Sequence, residues 1–151
     1  MARVRAISIV SGHHPSPQVR DAVLLSHQDR RSPRGTIAAL RGTVIDMALP
    51  AGTRLRQDDL LLLDDGSAVE VLARPEALLE VRADDLASLA RAAWLLGDHH
   101  IPAEIHGRYL RVLRTESASA LLRTLGVALR DIEAPFEPEG GAYDHAGDSS
   151  D

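Results

Sequence analysis

A change of residue pattern at Arg74-Pro75 constrains the fold of this chain more than any other feature. Before it, short apolar or alternating runs are separated by turn residues such as Pro50-Ala51-Gly52 and Asp64-Asp65-Gly66. The runs cover residues 22–25, 35–37, 42–47, 59–63 and 68–73, with the last two as a hairpin. Short strands at this spacing predict an all-β domain over residues 1–74.

After the proline, helical and extended patterns alternate. A strand over 79–82 precedes a helix over 84–96, which we expect Gly97 to end. Two extended runs follow, over 103–106 and 109–113. A second helix then runs from about Ser117 to Gly126, and residues 127–132 form a last strand. The apolar face predicted for the first helix comprises Leu86, Leu89, Ala90, Ala93 and Trp94. The order β-α-β-β-α-β predicts an α+β, ferredoxin-like domain over 75–143, followed by a flexible polar tail, 144–151.

Composition restricts the function. The chain has no cysteine, so a transition metal would have to bind imidazole, carboxylate, backbone or water. A net charge of −5, mixed charge signs and 3% aromatic residues argue against nucleic acid as a partner. No signal peptide and no apolar run of about 20 residues is present, so we expect a cytoplasmic protein that does not enter a membrane. The sequence also has no glycine-rich phosphate loop, no nucleophile elbow and no cysteine nucleophile, which favours a binding or carrier protein over an enzyme.

The stretch Gly97-Asp98-His99-His100-Ile101-Pro102 places two adjacent histidines after a helix. They could interact with the helix dipole, lie in a solvated turn, or bind a metal. One imidazole binds metal weakly, but a two-fold dimer that brings two copies of one histidine together would supply two ligands.

Two further groups offer imidazoles. His145 follows Tyr143 in the polar tail, where it is either solvated or a detachable metal ligand. Glu104 and His106 lie two residues apart on a predicted strand and therefore share one face. They form either an acid/base or ligand pair, or an exposed polar row with Ile105 directed inward.

Three segments in one order resemble the urease accessory protein UreE family. They are Leu96-Gly97-Asp98-His99-His100-Ile101-Pro102, then Leu125-Gly126, then Ala134-Pro135-Phe136-Glu137-Pro138-Glu139-Gly140-Gly141-Ala142-Tyr143. The first half is similar too, through the arginine-rich turn Arg30-Arg31-Ser32-Pro33-Arg34-Gly35. The similarity covers residues 21–143.

The resemblance implies a homodimeric nickel metallochaperone with a partner-binding β domain and a metal-binding, dimerising second domain. It implies delivery of nickel to the urease apoenzyme together with other accessory proteins, including a GTPase. By position, His100 corresponds to the ligand that both chains contribute, and His145 to an additional ligand from the tail. Asp98 and His99 stand where the family has Asn and Arg, so His99 is a further candidate ligand.

The metal and the function each have an alternative. Zinc or copper could compete with nickel, because imidazole and carboxylate suit all three metals. The alternative function is a protein-binding adaptor in a metalloenzyme assembly complex, with incidental metal binding.

Overall fold

The computed structural model describes residues 3–10 and 17–140. The chain divides into two compact units, Met1–Arg74 and Pro75–Asp151. The change of pattern at Arg74-Pro75 therefore coincides with the boundary between the units.

The first unit contains a mixed sheet of six strands. These are β1 (Val4–Val10), β2 (Val19–Leu25), β3 (Thr36–Ala38), β4 (Val44–Met47), β5 (Leu60–Leu63) and β6 (Ala68–Ala73), in the spatial order β2-β6-β5-β1-β4-β3. A short helix, α1 (His27–Arg31), follows β2 and is capped by Ser26, whose hydroxyl accepts the amide of Asp29. All five predicted runs contain strands. The sequence interpretation missed β1 and α1.

The hairpin between β5 and β6 forms where the turn residues predict it. Gly66 has a φ of 86°, a left-handed conformation that glycine adopts at little steric cost. The carboxylate of Asp65 accepts the amide of Ser67 at 2.9 Å, and the amide of Leu63 donates to the carbonyl of Ser67 at 2.9 Å. The alternation that follows puts Val69 and Val71 into the core of the unit, where both are fully buried.

The second unit packs two helices against one face of a four-stranded antiparallel sheet. Its elements are β7 (Pro75–Arg82), α2 (Leu86–Asp98), β8 (Glu104–Ile105), β9 (Leu110–Leu113), α3 (Glu116–Arg123) and β10 (Ala128–Pro135), and the strand order is β10-β7-β9-β8. The predicted succession strand, helix, strand, strand, helix, strand is present. Pro75 is the first residue of β7. It pairs with Pro135 of β10 and precedes the residues of β7 that pair with β9, so a residue without an amide donor is tolerated there.

Each helix of this unit begins at a polar cap. The carboxylate of Asp85 accepts the amide of Ser88 at 2.7 Å and caps α2; this hydrogen bond is the main cause of a lowered pKa at Asp85. Thr115 caps α3 in the same way by accepting the amide of Ala118. Both caps fix where the helices start, so that Leu89, Leu96 and Leu122 are directed into the core.

The apolar face predicted for α2 is partly wrong. The buried residues are Leu89, Ala92 and Leu96, whereas Leu86 and Trp94 are 70% and 69% exposed. The spacing of Leu86 and Trp94 places them on one side of a helix, but this side of α2 faces away from the sheet. No helix of the described residues is long and apolar enough to cross a membrane.

Candidate metal centre

The two adjacent histidines lie in the turn that ends α2. The amide of His100 donates to the carbonyl of Gly97 at 3.0 Å, and the amide of Ile101 donates to the carbonyl of Leu96 at 2.9 Å. This pair of hydrogen bonds is a Schellman motif, with His99 as the C-cap. The expectation that Gly97 ends the helix is wrong: Gly97 lies inside the last turn, and the reversal occurs at His100.

His100 adopts a backbone conformation that usually belongs to glycine. Its φ is 58°, whereas His99 has an ordinary φ of −90°. A left-handed conformation costs an L-residue with a β-carbon roughly 1–2 kcal/mol. Strained positions of this kind are frequent at functional sites, where the side chain has a use that glycine could not serve.

The core holds this turn in place. Ile101 packs against the core cluster that contains Leu96, and this is the hydrophobic contact that frequently accompanies a Schellman motif. His99 and His100 themselves are exposed. The turn therefore presents imidazoles on the surface from a backbone whose geometry is fixed by buried neighbours.

An exposed apolar stripe leads along α2 to this turn. Leu86, Ala90 and Trp94 are spaced four residues apart, so they lie on one side of the helix, and all three are exposed. Trp94 precedes Gly97 by three residues and therefore lies next to the final turn of α2. A surface that joins these apolar side chains to the histidine turn is suited to an interface.

A second polar cluster lies on the face of the sheet opposite the helices. His106 Nε2 is 2.5 Å from Glu104 Oε1, and the imidazole stacks on Tyr109 with ring centroids 4.3 Å apart. Arg111 Nη1 is 4.0 Å from Glu104 Oε1. The pairing of Glu104 with His106 agrees with a shared face. The inward position expected for Ile105 is wrong, since Ile105 is 54% exposed and the Glu104 side chain only 13%.

Register explains this cluster. Across the sheet, Arg130 pairs with Glu80, Glu80 with Arg111, and Arg111 with Glu104, so that charges of alternating sign form one row. A hydrogen bond from Arg82 at 2.8 Å is the largest cause of a lowered pKa at Glu80, opposed by burial and assisted by the charge of Arg111. Sequence reasoning missed Glu80, Tyr109 and Arg111, because they come together only once the strand pairing is known.

The remaining candidate ligand, His145, lies outside the described residues. Within residues 3–10 and 17–140, no group of three or more histidine, cysteine, aspartate or glutamate side chains is arranged to hold a metal ion. A site of three or more such ligands centred on His100 would therefore include ligands from a second copy of the chain or from residues outside these ranges.

Comparison with known proteins assigns the chain to a class of two-domain accessory proteins. This is not a class of catalytic enzymes. The model of the UreE urease accessory protein N-terminal domain matches residues 4–74, and the model of the C-terminal domain matches residues 76–151. The chain belongs to the UreE family of urease accessory proteins. This confirms the resemblance inferred from the three segments.

Individual relatives agree. A urease accessory protein UreE from a Bradyrhizobium strain is 41% identical over 140 residues, which cover 93% of this chain and 68% of the relative. The UreE of Beijerinckia indica is 39% identical over 147 residues, covering 95% and 83%. The UreE of a Ruegeria strain is 40% identical over 134 residues, covering 89% and 74%.

Proposed function

We propose that this protein carries nickel in the cytoplasm and delivers it to the urease maturation complex. Two chains pair through their second units, and His100 of each chain binds one Ni²⁺ at the dimer axis. The recipients are the urease apoenzyme and its other accessory proteins, including a GTPase. Zinc or copper competes for the same imidazoles, because the ligand set does not distinguish these metals.

The left-handed conformation of His100 carries the assignment. A glycine would end α2 at lower cost, so the imidazole at this position is better explained by binding than by folding. The Schellman hydrogen bonds and the packing of Ile101 hold the turn, which reduces the entropy lost when a metal is bound. The resemblance to the family also implies, by position, that His100 is the ligand that both chains contribute.

The exposed stripe on α2 supports pairing of two chains beside this turn. Trp94 is a large apolar side chain that a monomer leaves in water at 69% exposure. Aromatic residues of this kind anchor protein interfaces. An isologous contact centred near Trp94, at the end of the stripe next to the turn, would bring the two copies of the α2 terminus close to the axis. The succession of elements and the strand order β10-β7-β9-β8 also support the expected ferredoxin-like arrangement of the unit.

The backbone supports His145 as an additional, detachable ligand. The amide of Glu139 donates to the carbonyl of Ala103 at 2.8 Å, so residue 139 lies beside a residue only three positions after His100. His145 is the sixth residue after Glu139, a length of chain that can span about 20 Å, while His100 lies at most about 10 Å along the chain from Ala103. His145 is therefore able to reach the metal, and a ligand on a polar tail can also leave it.

Calorimetric titration of nickel into His100→Ala tests the proposal. The wild-type chain should bind one Ni²⁺ per two chains, and loss of both central imidazoles should weaken binding more than about a hundredfold. His99→Ala is the matched control, since it removes a neighbouring exposed imidazole and should leave most of the affinity. Unchanged binding by His100→Ala contradicts the assignment.

Urease activation separates a carrier from an adaptor. With apo-urease and its accessory proteins, His100→Ala should lower nickel-dependent activation while still being captured by the complex in a pull-down. Full activation by His100→Ala at limiting nickel would favour the adaptor and refute the carrier.

A further inference from the structure

Asp98 is the last residue of α2, and it places a carboxylate at the negative end of the helix dipole. This end of a helix favours cations nearby and disfavours anions. The last turn of α2 nevertheless contains no basic residue. Asp98 is exposed and has no ion pair within residues 3–10 and 17–140. In this part of the chain, the fold therefore gains no stability from a negative charge at this position.

The neighbours of the turn do not neutralise this charge. The amide of Glu139 donates to the carbonyl of Ala103 at 2.8 Å, so a second exposed acidic residue lies beside the turn. Arg91, the basic residue of α2, precedes Asp98 by seven residues, which is about 10 Å along the helix axis. A cation held by His100 would therefore lie closer to Asp98 than the basic side chain of its own helix.

Asp98 is close both to the proposed ligand and to the proposed dimer axis. It precedes His100 by two residues, so the two α-carbons are at most about 7 Å apart. The hydrogen bonds from the amides of His100 and Ile101 fix the backbone between them. Asp98 also follows Trp94 by four residues, which places it one turn further along the same side of α2. In an isologous contact near Trp94, the two copies of Asp98 would approach each other.

We propose that Asp98 sets the affinity of the nickel site by its charge: the carboxylate attracts the ion to His100, and in metal-free chains it opposes dimerisation. The inference rests on the proposed function, in which His100 of both chains binds one Ni²⁺. Asp98 acts through space and is not a ligand. Without the ion, two charges of equal sign meet near the axis; with the ion, each carboxylate faces a divalent cation. Asp98 thereby couples nickel binding to dimer formation.

Coulomb's law gives the size of the effect. An ion bound by His100 lies roughly 8 Å from each of the two carboxylates. In a medium as polarisable as water, their attraction should raise the affinity for nickel about five- to tenfold at a salt concentration of about 0.05 M. Screening at about 0.5 M salt should reduce this factor to about twofold or less. Repulsion between the two carboxylates should weaken the metal-free dimer about two- to threefold at the lower salt concentration.

The decisive variant is Asp98→Asn in the full chain, because asparagine removes the charge and keeps a similar shape and helix propensity. In calorimetric titration, its affinity for nickel should be about five- to tenfold below the wild-type value at about 0.05 M salt, and about twofold below it or less at about 0.5 M. In sedimentation equilibrium with a chelator, its metal-free dimer should be about two- to threefold tighter at the lower salt concentration. Damage to the fold would not weaken nickel binding and strengthen the dimer together.

Two further variants isolate the charge and its position. Asp84→Asn is the matched control: it removes an equal, exposed charge from the other end of α2, about 20 Å away, and should alter neither measurement. Asp98→Glu keeps the charge and should bind nickel within about twofold of the wild type. The denaturant midpoint of metal-free Asp98→Asn should equal or exceed the wild-type value, since the helix loses an anion from its negative end.

The outcomes separate this proposal from the proposed function. If Asp98→Asn binds nickel with wild-type affinity at low salt, or with a loss that salt does not reduce, attraction through space is overturned while the site at His100 stands. A metal-free dimer that is no tighter in Asp98→Asn overturns the coupling to dimerisation. An equal loss of affinity in Asp84→Asn overturns the assignment to this position. If His100→Ala binds nickel as the wild type does, the proposed function fails, whatever Asp98→Asn does.

Discussion

Replacing His100 by glycine should stabilise the second unit and remove the proposed nickel ligand at the same time. The residue occupies the left-handed position of a Schellman motif, with a φ of 58°. Relief of the strain between the β-carbon and the following carbonyl is worth roughly 1–2 kcal/mol. The additional freedom of glycine in the unfolded chain offsets about 0.4–1 kcal/mol of this. The expected net gain in the free energy of unfolding is therefore between about 0 and 1.6 kcal/mol, with a central value of about 0.8 kcal/mol.

The assay is denaturant unfolding of the metal-free chain in the presence of a chelator, followed by circular dichroism at a fixed protein concentration. His100→Gly should have a higher midpoint than the wild type, with an unchanged slope against denaturant concentration. His99→Gly is the control: His99 has a φ of −90°, so glycine there relieves no strain and should lower stability by a few tenths of a kcal/mol or more.

Calorimetry on the same variant should show nickel binding weakened as strongly as by His100→Ala. A His100→Gly chain that is less stable than the wild type would refute the account of strain. One that binds nickel with undiminished affinity would refute the account of the site. A more stable chain that no longer binds nickel is the result that a functional reason for histidine at this position requires.

Two further predictions concern the acid response and the dimer. Because Arg82 and Arg111 lower the pKa of Glu80 in the folded chain, the resulting stabilisation is present above the unfolded value of about 4.3 and is lost as the pH falls through the lower folded value. Arg82→Ala should therefore be less stable than the wild type by under about 1 kcal/mol at neutral pH. This difference in the free energy of unfolding should disappear below about pH 4. A difference that stays constant from neutral to acidic pH, measured by urea unfolding, would contradict this. Trp94→Ser should weaken dimerisation at least tenfold in sedimentation equilibrium. The control Leu40→Ser alters an exposed leucine of the first unit and should not weaken it. Equal dimer affinity in the wild type and Trp94→Ser would exclude the α2 stripe as the interface.

Local patterns predicted most elements of the fold. Alternation and turn residues located the hairpin of β5 and β6, and helical spacing located α2 and α3. The strand β1 was missed because its seven residues, Val4–Val10, mix arginine and serine with apolar residues; it is recognisable mainly by its pairing with β4 and β5, which lie far away in sequence. Burial alternates only over residues 4–7 and the remaining three residues are half-buried, so the periodic signal within the strand itself is short.

The orientation of α2 shows the same limit. Helical periodicity gives a set of apolar residues, but α2 carries apolar side chains on more than one side. The residues on the inward side, Leu89, Ala92 and Leu96, are set by the position of the sheet, and Leu86 and Trp94 remain outside. Sequence alone therefore identified Trp94 as a packing residue without deciding between core and interface. Its exposure in the monomer is what favours the interface.

The position of His100 follows from physical causes that a residue motif does not contain. Two carbonyls at the end of α2 need donors, and the amides of His100 and Ile101 supply them only if His100 turns into the left-handed region. Burial of Ile101 beside Leu96 then makes this turn the favoured one. Since the strain at His100 is offset by the hydrogen bonds and by the packing of its neighbours, the domain can keep an imidazole where glycine would be more stable. Selection for stability alone would favour the glycine, and the proposed nickel site supplies the reason for the histidine.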